Sequence, residues 1–208
     1  MKCRFAAAVL TLAVSLISPP VWAQSPFLFE TATLGPVGVQ GLGIFADADQ
    51  YIGAKFEVSE QTNVENLGGH IFADGFSSGS VFAAVVPLDP VTDLPSTLDL
   101  SDAIFSTLFL PPRPSEEVVL DVDFELAPGR YGLVFGSGQW GATGAALMPE
   151  NNEDIGEPEY FSIAFIGSGS PPTWGNAGFS SCRFFVVGNS KLFADGFESG
   201  DTASWSLP

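Results

Sequence analysis

Positive charge is the scarcest commodity in this chain. Seven lysines and arginines stand against 24 acidic residues. Two of the seven, Lys2 and Arg4, lie at the extreme N-terminus, leaving Lys55, Arg113, Arg130, Arg183 and Lys191. Beyond residue 23 all 24 acidic residues remain, and the formal charge is −19. A surface of that sign repels nucleic acid and anionic lipid, because both are polyanions. It favours solubility and neutral or cationic partners.

Cysteine and histidine are almost as rare. Of two cysteines, Cys3 sits in the N-terminal segment and Cys182 stands alone, which excludes an internal disulfide in the chain after residue 23. Cys182 lies in the strand-like run Ser181-Cys182-Arg183-Phe184-Phe185 and reads as a small buried hydrophobe. His70 is the single histidine, so no histidine cluster can bind a metal. Long apolar runs are missing too. The one sustained run, Phe5 to Ile17, falls short of the ~20 residues that span a bilayer. It follows Lys2 and Arg4 and is broken by Pro19-Pro20, and Val21-Trp22-Ala23 supplies a small-x-small ending. That is signal-peptide architecture, with cleavage expected between Ala23 and Gln24. The expectation is a protein exported across the inner membrane of a bacterium, secreted or at the cell surface, with no stable membrane insertion after cleavage.

Helical periodicity is absent as well. What is present is 23 glycines, 16 prolines and 19 phenylalanines, arranged as short β-prone runs between turn clusters. In Val118 to Leu126, Val118, Leu120, Val122, Phe124 and Leu126 alternate with Val119, Asp121, Asp123 and Glu125, which puts one face in a core and the carboxylates in water. Ala127-Pro128-Gly129 then reads as a turn, and Arg130 to Phe135 as the return strand of an antiparallel hairpin. Further strands are expected at Phe27–Thr33, Tyr51–Val58, Val64–Ala73, Ser80–Leu88, Ala103–Leu110, Ala142–Met148, Tyr160–Ile166 and Phe179–Val187. The runs 80–88 and 103–110 are nearly continuously apolar, as strands packed into a core are. Between them, Pro90 and Pro95 limit any helical turn in 89–101.

These patterns predict an all-β chain: a jelly-roll-like, two-sheet β-sandwich of about ten antiparallel strands. The organisation expected is a signal peptide at 1–23, a sandwich domain at 24–188, and a linker and C-terminal tail at 189–208. The tail echoes the domain. Ile71-Phe-Ala-Asp-Gly-Phe-Ser-Ser-Gly-Ser80 and Leu192-Phe-Ala-Asp-Gly-Phe-Glu-Ser-Gly-Asp201 agree at seven of ten positions. Two distant copies do not make a solenoid, and shared turn chemistry at Asp-Gly, or coincidence, is the plainer reading of the echo.

Several segments carry a resemblance: Tyr51-Ile-Gly-Ala-Lys-Phe-Glu-Val, Asn66-Leu-Gly-Gly-His-Ile, Leu126-Ala-Pro-Gly-Arg-Tyr-Gly-Leu-Val-Phe-Gly-Ser-Gly, Gly141-Ala-Thr-Gly with Met148-Pro-Glu-Asn-Asn, and Phe179 to Val187. Over roughly residues 30–188 the chain resembles the exported β-sandwich domains of bacterial PEP-CTERM and choice-of-anchor proteins. Phe193 to Ser206 resembles a terminal motif of many unrelated exported proteobacterial proteins, and it stands where the apolar anchor helix and basic cluster of PEP-CTERM proteins would be. The resemblance implies an envelope or extracellular-matrix setting. It carries over neither catalytic residues nor membrane anchoring.

Motifs for chemistry fail on context. Gly75-Phe-Ser77-Ser-Gly79 matches the hydrolase G-x-S-x-G pattern, but the elbow needs a following helix and a later histidine, whereas Val81 onward is strand-like and His70 comes first. Gly136-Ser-Gly138-Gln-Trp140-Gly141 matches G-x-G-x-x-G without the βαβ unit a dinucleotide needs; its glycines read as a tight loop. The carboxylate pairs Asp47/Asp49, Asp99/Asp102, Asp121/Asp123, Glu153/Asp154 and Glu157/Glu159 do not show the convergence a glycosidase requires. Calcium suits such oxygens better, and Asn151 to Asp154 is the best loop for it, although a solvated loop is the plainer reading. Tyr51, Trp140, Tyr160 and Trp174 are candidates for a platform that stacks sugar rings; the competing reading is that they plug the ends of the sandwich. The function expected is therefore a non-catalytic structural or interaction protein of the cell surface or matrix, without a cofactor, whose partners are polysaccharide or other envelope components. The alternative is a carbohydrate-binding module, in a calcium-assisted form or without calcium.

Overall fold

The computed structural model describes residues 26–38, 43–46, 50–75, 77–163 and 172–190, with the backbone alone for 43–46. The signal segment with Ala23 and Gln24, the pair Asp47/Asp49, and the tail from residue 191 lie outside these residues. The described chain is all-β. Its twelve strands are β1 (Phe27–Glu30), β2 (Gly43–Ala46), β3 (Tyr51–Val58), β4 (Thr62–Ala73), β5 (Val81–Pro87), β6 (Phe105–Phe109), β7 (Glu116–Leu126), β8 (Gly129–Gly136), β9 (Ala146–Pro149), β10 (Tyr160–Ile163), β11 (Trp174–Asn176) and β12 (Phe184–Ser190).

They form two six-stranded antiparallel sheets. Sheet I runs β1-β12-β4-β9-β2, with β7 also on β4, and sheet II runs β11-β10-β3-β8-β5-β6. The result is a β-sandwich, not a closed barrel. No helix among the described residues is long and apolar enough to cross a membrane.

The main core fills the space between the sheets. Ile52, Ala54, Phe56, Leu133 and Phe135 of sheet II meet Val64, Leu67, Ile71, Phe184 and Val186 of sheet I. Phe135 and Phe184 stack across it with centroids 5.3 Å apart. β7 behaves as its alternation requires. Val118, Leu120, Val122 and Phe124 pack toward this core, while Asp121, Asp123 and Glu125 are exposed.

The expected hairpin is overturned. β7 pairs with β4, whereas β8 pairs with β3 and β5 in the other sheet. Ala127-Pro128 is thus an arch between sheets, beside the arch 59–61 that joins β3 to β4. Alternation demands only that both apolar sets face inward, and an arch meets that demand by placing them opposite each other. Pro128 has no N–H to offer a hairpin ladder. The Tyr131 hydroxyl donates to Ala127 O at 2.8 Å and clamps the corner.

Other expectations are corrected at their edges. β12 continues through Asn189 and Ser190, which pair with Asn63 and Thr62, so these two residues belong to the sheet and not to a linker. β2 and β11 are additional strands. β9 begins only at Ala146, because Thr143 and Gly144 are turned to donate to Ser80 O. β5 is buried on both faces, as its apolar run implies, but β6 is an edge strand, with Leu108 exposed within it and Ile104 and Leu110 exposed at its ends.

Candidate functional site

The reason β5 is buried on both faces is a second core on the outer side of sheet II. Tyr51 of β3, Phe82, Ala84 and Val86 of β5, Val134 of β8, and Phe161 and Ile163 of β10 face outward and are nevertheless buried. Residues 89–103 roof them through Leu94, Leu100 and Ala103. Glycines in the strands make the space. A Cβ at Gly132 would stand 2.6 Å from Phe161 Cζ, and one at Gly53 would strike the same ring. One at Gly136 would stand 2.5 Å from Tyr51 Cδ1. Glycine inside a strand marks close approach of another group, and here that group is an aromatic ring lying flat on the sheet.

Five rings run across this surface. Phe161 meets Trp174 at 5.4 Å, Trp174 meets Tyr51 at 6.1 Å, Tyr51 meets Phe82 at 5.3 Å, and Phe82 meets Trp140 at 4.9 Å between centroids. Exposure differs sharply along the row. Tyr51 is buried, and its hydroxyl accepts from Gln139 Nε2 at 3.1 Å. Trp174 is half-buried, and its indole N–H donates to Thr97 O at 2.8 Å, pinning the roof. Trp140 is 41% exposed.

Its loop holds it there. Gly138 and Gly141 take φ of 86° and 88°, Gly138 N donates to Ala142 O, and Ala142 N donates to Gln139 O. Trp140 itself has φ 50°, a left-handed conformation unusual for so bulky a residue. The G-x-G-x-x-G residues are thus committed to a tight turn and to ring packing.

Of the four aromatic candidates, Tyr51, Trp140 and Trp174 converge on this face. Tyr160 does not. It is buried on the inner side, donating to Cys182 O at 2.9 Å, and burial pushes its phenol well above the usual range. With Tyr51 and Tyr160 both buried, an exposed four-ring platform does not exist, and Trp140 is the accessible ring of the set.

At the opposite end of the same face sits an ionic group that sequence reasoning missed. Lys55 is buried, with Nζ 2.9 Å from Asp93 Oδ2 and 3.3 Å from Glu159 Oε2. Arg130 grips Asp93 with Nε and Nη2 at 2.8 and 2.9 Å. Partial burial works to raise the Asp93 carboxyl, but hydrogen bonds and charge from Arg130 and Lys55 outweigh it and hold the group below the usual carboxylate range. Two of the chain's few cations spent on one aspartate fasten the roof to the sheet. A surface cavity of about 420 Å³ opens beside it, lined by Leu88, Asp89, Asp93, Arg130 and Tyr131; Asp93 and Arg130 pair with each other, and Asp89 accepts from Val91 N and Thr92 N. The scarcity of cations was the available signal.

The remaining candidates are structural in their contacts. Ser77 Oγ accepts from Ala145 N at 2.7 Å. Asn151 Oδ1 accepts from Gly35 N at 2.9 Å and faces His70 Nδ1 at 2.7 Å, while its amide donates to Pro149 O and Ser181 O. Asp154 Oδ1 accepts from Ser181 N at 2.8 Å. Asn151 to Asp154 therefore forms a strap docked on residues 31–35, and no grouping of three metal-ligating side chains occurs among the described residues. Cys182 is buried, which pushes its thiol up to about 12.

The Asn151 amide orientation fixes the His70 tautomer. Nδ1 carries the hydrogen, and Nε2 is buried without a hydrogen-bond partner. Burial lowers the His70 pKa below 6.5, outweighing the support of Asn151 and Glu117, and nearby Arg183 lowers it further. The unfolded chain then takes up a proton at pH values where the folded one does not. The contribution of His70 to stability is complete above about pH 6.5 and is lost as pH falls through the folded value. Because His70 is the sole histidine, its NMR titration reads the folded pKa directly. A midpoint at or above 6.5 would refute this account. His70→Gln is expected to flatten the pH dependence of stability between about 5 and 7.

No protein-family profile matches this chain, and no curated protein matches it significantly in sequence.

Proposed function

We propose that this chain is a non-catalytic interaction module of the exported bacterial kind, working at the cell surface or in the extracellular matrix, and that it meets its partner at the loop carrying Trp140. One observation carries the reading. Trp140 is a large aromatic held 41% exposed on a left-handed backbone, with its ring braced edge-on against buried Phe82. Left-handed geometry at a non-glycine residue costs on the order of 1 kcal/mol, and such strain concentrates where a side chain must be presented. A braced indole loses little freedom on binding, which is why tryptophan anchors contacts. The signal-like N-terminus and the resemblance to PEP-CTERM and choice-of-anchor domains support the envelope setting. The engagement of Ser77 and His70 in structural hydrogen bonds supports the absence of a catalytic role.

A second reading has a specific observation behind it. Trp140 and half-buried Trp174 lie on one aromatic row, with Phe82 and Tyr51 between them and the Gln139 amide on the Tyr51 hydroxyl. A row of rings with a side-chain amide suits the C–H faces and hydroxyls of a sugar chain. In this form the chain is a carbohydrate-binding module, and its negative charge restricts it to neutral or cationic polysaccharides. The test is calorimetry against soluble neutral glycans and sedimentation with insoluble ones, with and without calcium, comparing native protein with Trp140→Ala. Loss of affinity by at least about tenfold in Trp140→Ala is expected. Native protein that binds no polysaccharide retires the sugar reading. An envelope partner whose binding survives Trp140→Ala retires the Trp140 surface.

A further inference from the structure

Among the described residues, two strand edges without a further ladder partner flank one side of the sandwich, and they differ in charge. β7 pairs only with β4, and it carries Glu116, Glu117, Asp121, Asp123 and Glu125. Acidic side chains along an edge keep other chains away. Among the described residues β6 pairs only with β5, and from Ala103 to Pro112 there is no charged residue. Along that run Ile104, Leu108 and Leu110 are 45%, 43% and 72% exposed. An uncharged apolar edge on so acidic a chain lacks the charged guards that strand edges usually carry, although β6 is short and Pro111-Pro112 follow it.

We propose that this edge joins two copies of the chain, β6 pairing antiparallel with β6 of a second copy about a two-fold axis at Thr107. The occupant is argued from the strand itself. A two-fold strand pair sets residue i opposite its mirror position about the axis. Centred on Thr107, that places Ile104 against Leu110, Phe105 against Phe109 and Ser106 against Leu108 of the second copy. The segment is thus close to a palindrome in hydropathy, and each of its three exposed apolar side chains gains a cross-strand neighbour. Such facing pairs are the unit that stabilises a sheet.

Charge selects the same place. Two copies, each at formal charge −17 or more negative without residues 1–23, repel wherever carboxylates face one another. The uncharged edge lets the β6 backbones reach hydrogen-bonding distance. The acidic β7 strands, packed beside β6 through the Phe105–Phe124 stack, come toward each other and make the pairing depend on screening, which confines repulsion to about 8 Å at physiological ionic strength. The product is a continuous twelve-stranded sheet made from two copies of six-stranded sheet II. This inference does not rest on the Trp140 reading, although the two surfaces adjoin: Trp140 packs on Phe82, and Phe82 pairs with Leu108 of β6.

The test is sedimentation equilibrium of the chain from residue 24, at ~0.15 M salt. Four proteins are compared: native, Leu108→Glu/Leu110→Glu, Leu110→Glu alone, and Val119→Glu on β7. All three variants add negative charge, and Leu110 and Val119 are exposed, so folding is preserved and circular dichroism verifies it. A native dimer is expected, with dissociation raised about a hundredfold in the double variant and at least about tenfold in Leu110→Glu. Val119→Glu is expected to remain a dimer, and added salt to tighten the native one. A native protein that stays monomeric at ~100 μM overturns the proposal. So does a dimer that survives the β6 variants, or one that Val119→Glu weakens equally.

Discussion

Replacing Arg183 with alanine is expected to destabilise the fold by about 3 kcal/mol, read from urea denaturation. Among the described residues, Arg183 makes the ion pairs of sheet I, and its side chain is 5% exposed. It immediately precedes β12, ion-paired to Glu30 of β1 and to Glu117 of β7, and it donates to Ala32 O. Its guanidinium stands 5.9 Å from the Phe27 ring and 5.4 Å from the Phe185 ring. One side chain therefore ties β1, β12 and β7 together. Truncation leaves two partly buried carboxylates facing each other without a counter-charge. Glu30 and Glu117 keep 22% and 30% side-chain exposure, which holds the effect at the lower end of the range for buried pairs. Arg183→Lys is expected to recover only part of the loss, since an ammonium cannot fork to two carboxylates and stack on two rings. A loss under about 1 kcal/mol in Arg183→Ala would place the group among surface ion pairs and refute this account.

The second large effect lies on the opposite sheet and includes a reversal of sign. Phe161→Ala is expected to cost about 3–5 kcal/mol, because the ring fills the second core and touches Trp174. Gly132→Ala alone is also expected to destabilise, its new methyl pressing on the Phe161 ring. Combined with Phe161→Ala, the same methyl enters the vacated space, and alanine is a better strand residue than glycine by roughly 0.5–1 kcal/mol. The double variant should thus be more stable than Phe161→Ala. Additive effects in a double-mutant cycle would show that the ring does not rest on the glycine lane.

How far the sequence reads depends on what each signal constrains. Alternation in Val118 to Leu126 is legible because one face of β7 is wet, and the alternation reports it. The apolar runs of β5 and of β6 with its flanks look alike, yet β5 is roofed by residues 89–103 while β6 ends its sheet. Burial on two faces and freedom at an edge leave the same mark on composition. Hairpin and arch are indistinguishable at Ala127-Pro128 for a similar reason, since both turn the apolar faces inward. Tyr160 and Phe161 show the limit most plainly. Adjacent strand residues face opposite ways, so one of them had to leave the outer aromatic row, and nothing local said which. The second core did have a signature in Gly53, Gly132 and Gly136 within strand-like runs, spaced for rings to lie on them.

The order β1-β12-β4 has a consequence in time. The last described strand lies between the first strand and the fourth, with Phe29 opposite Val186 and Leu67 opposite Val186 on its other side. A chain emerging N-terminus first, from a ribosome or through a membrane pore, can assemble sheet II up to β11 while β1 still has no neighbour. Sheet I closes only when residues 184–190 arrive, and closing a loop that spans nearly the whole domain makes this a late and slow event. Until then sheet I stays incomplete, with β1 and one edge of β4 waiting for the same seven residues.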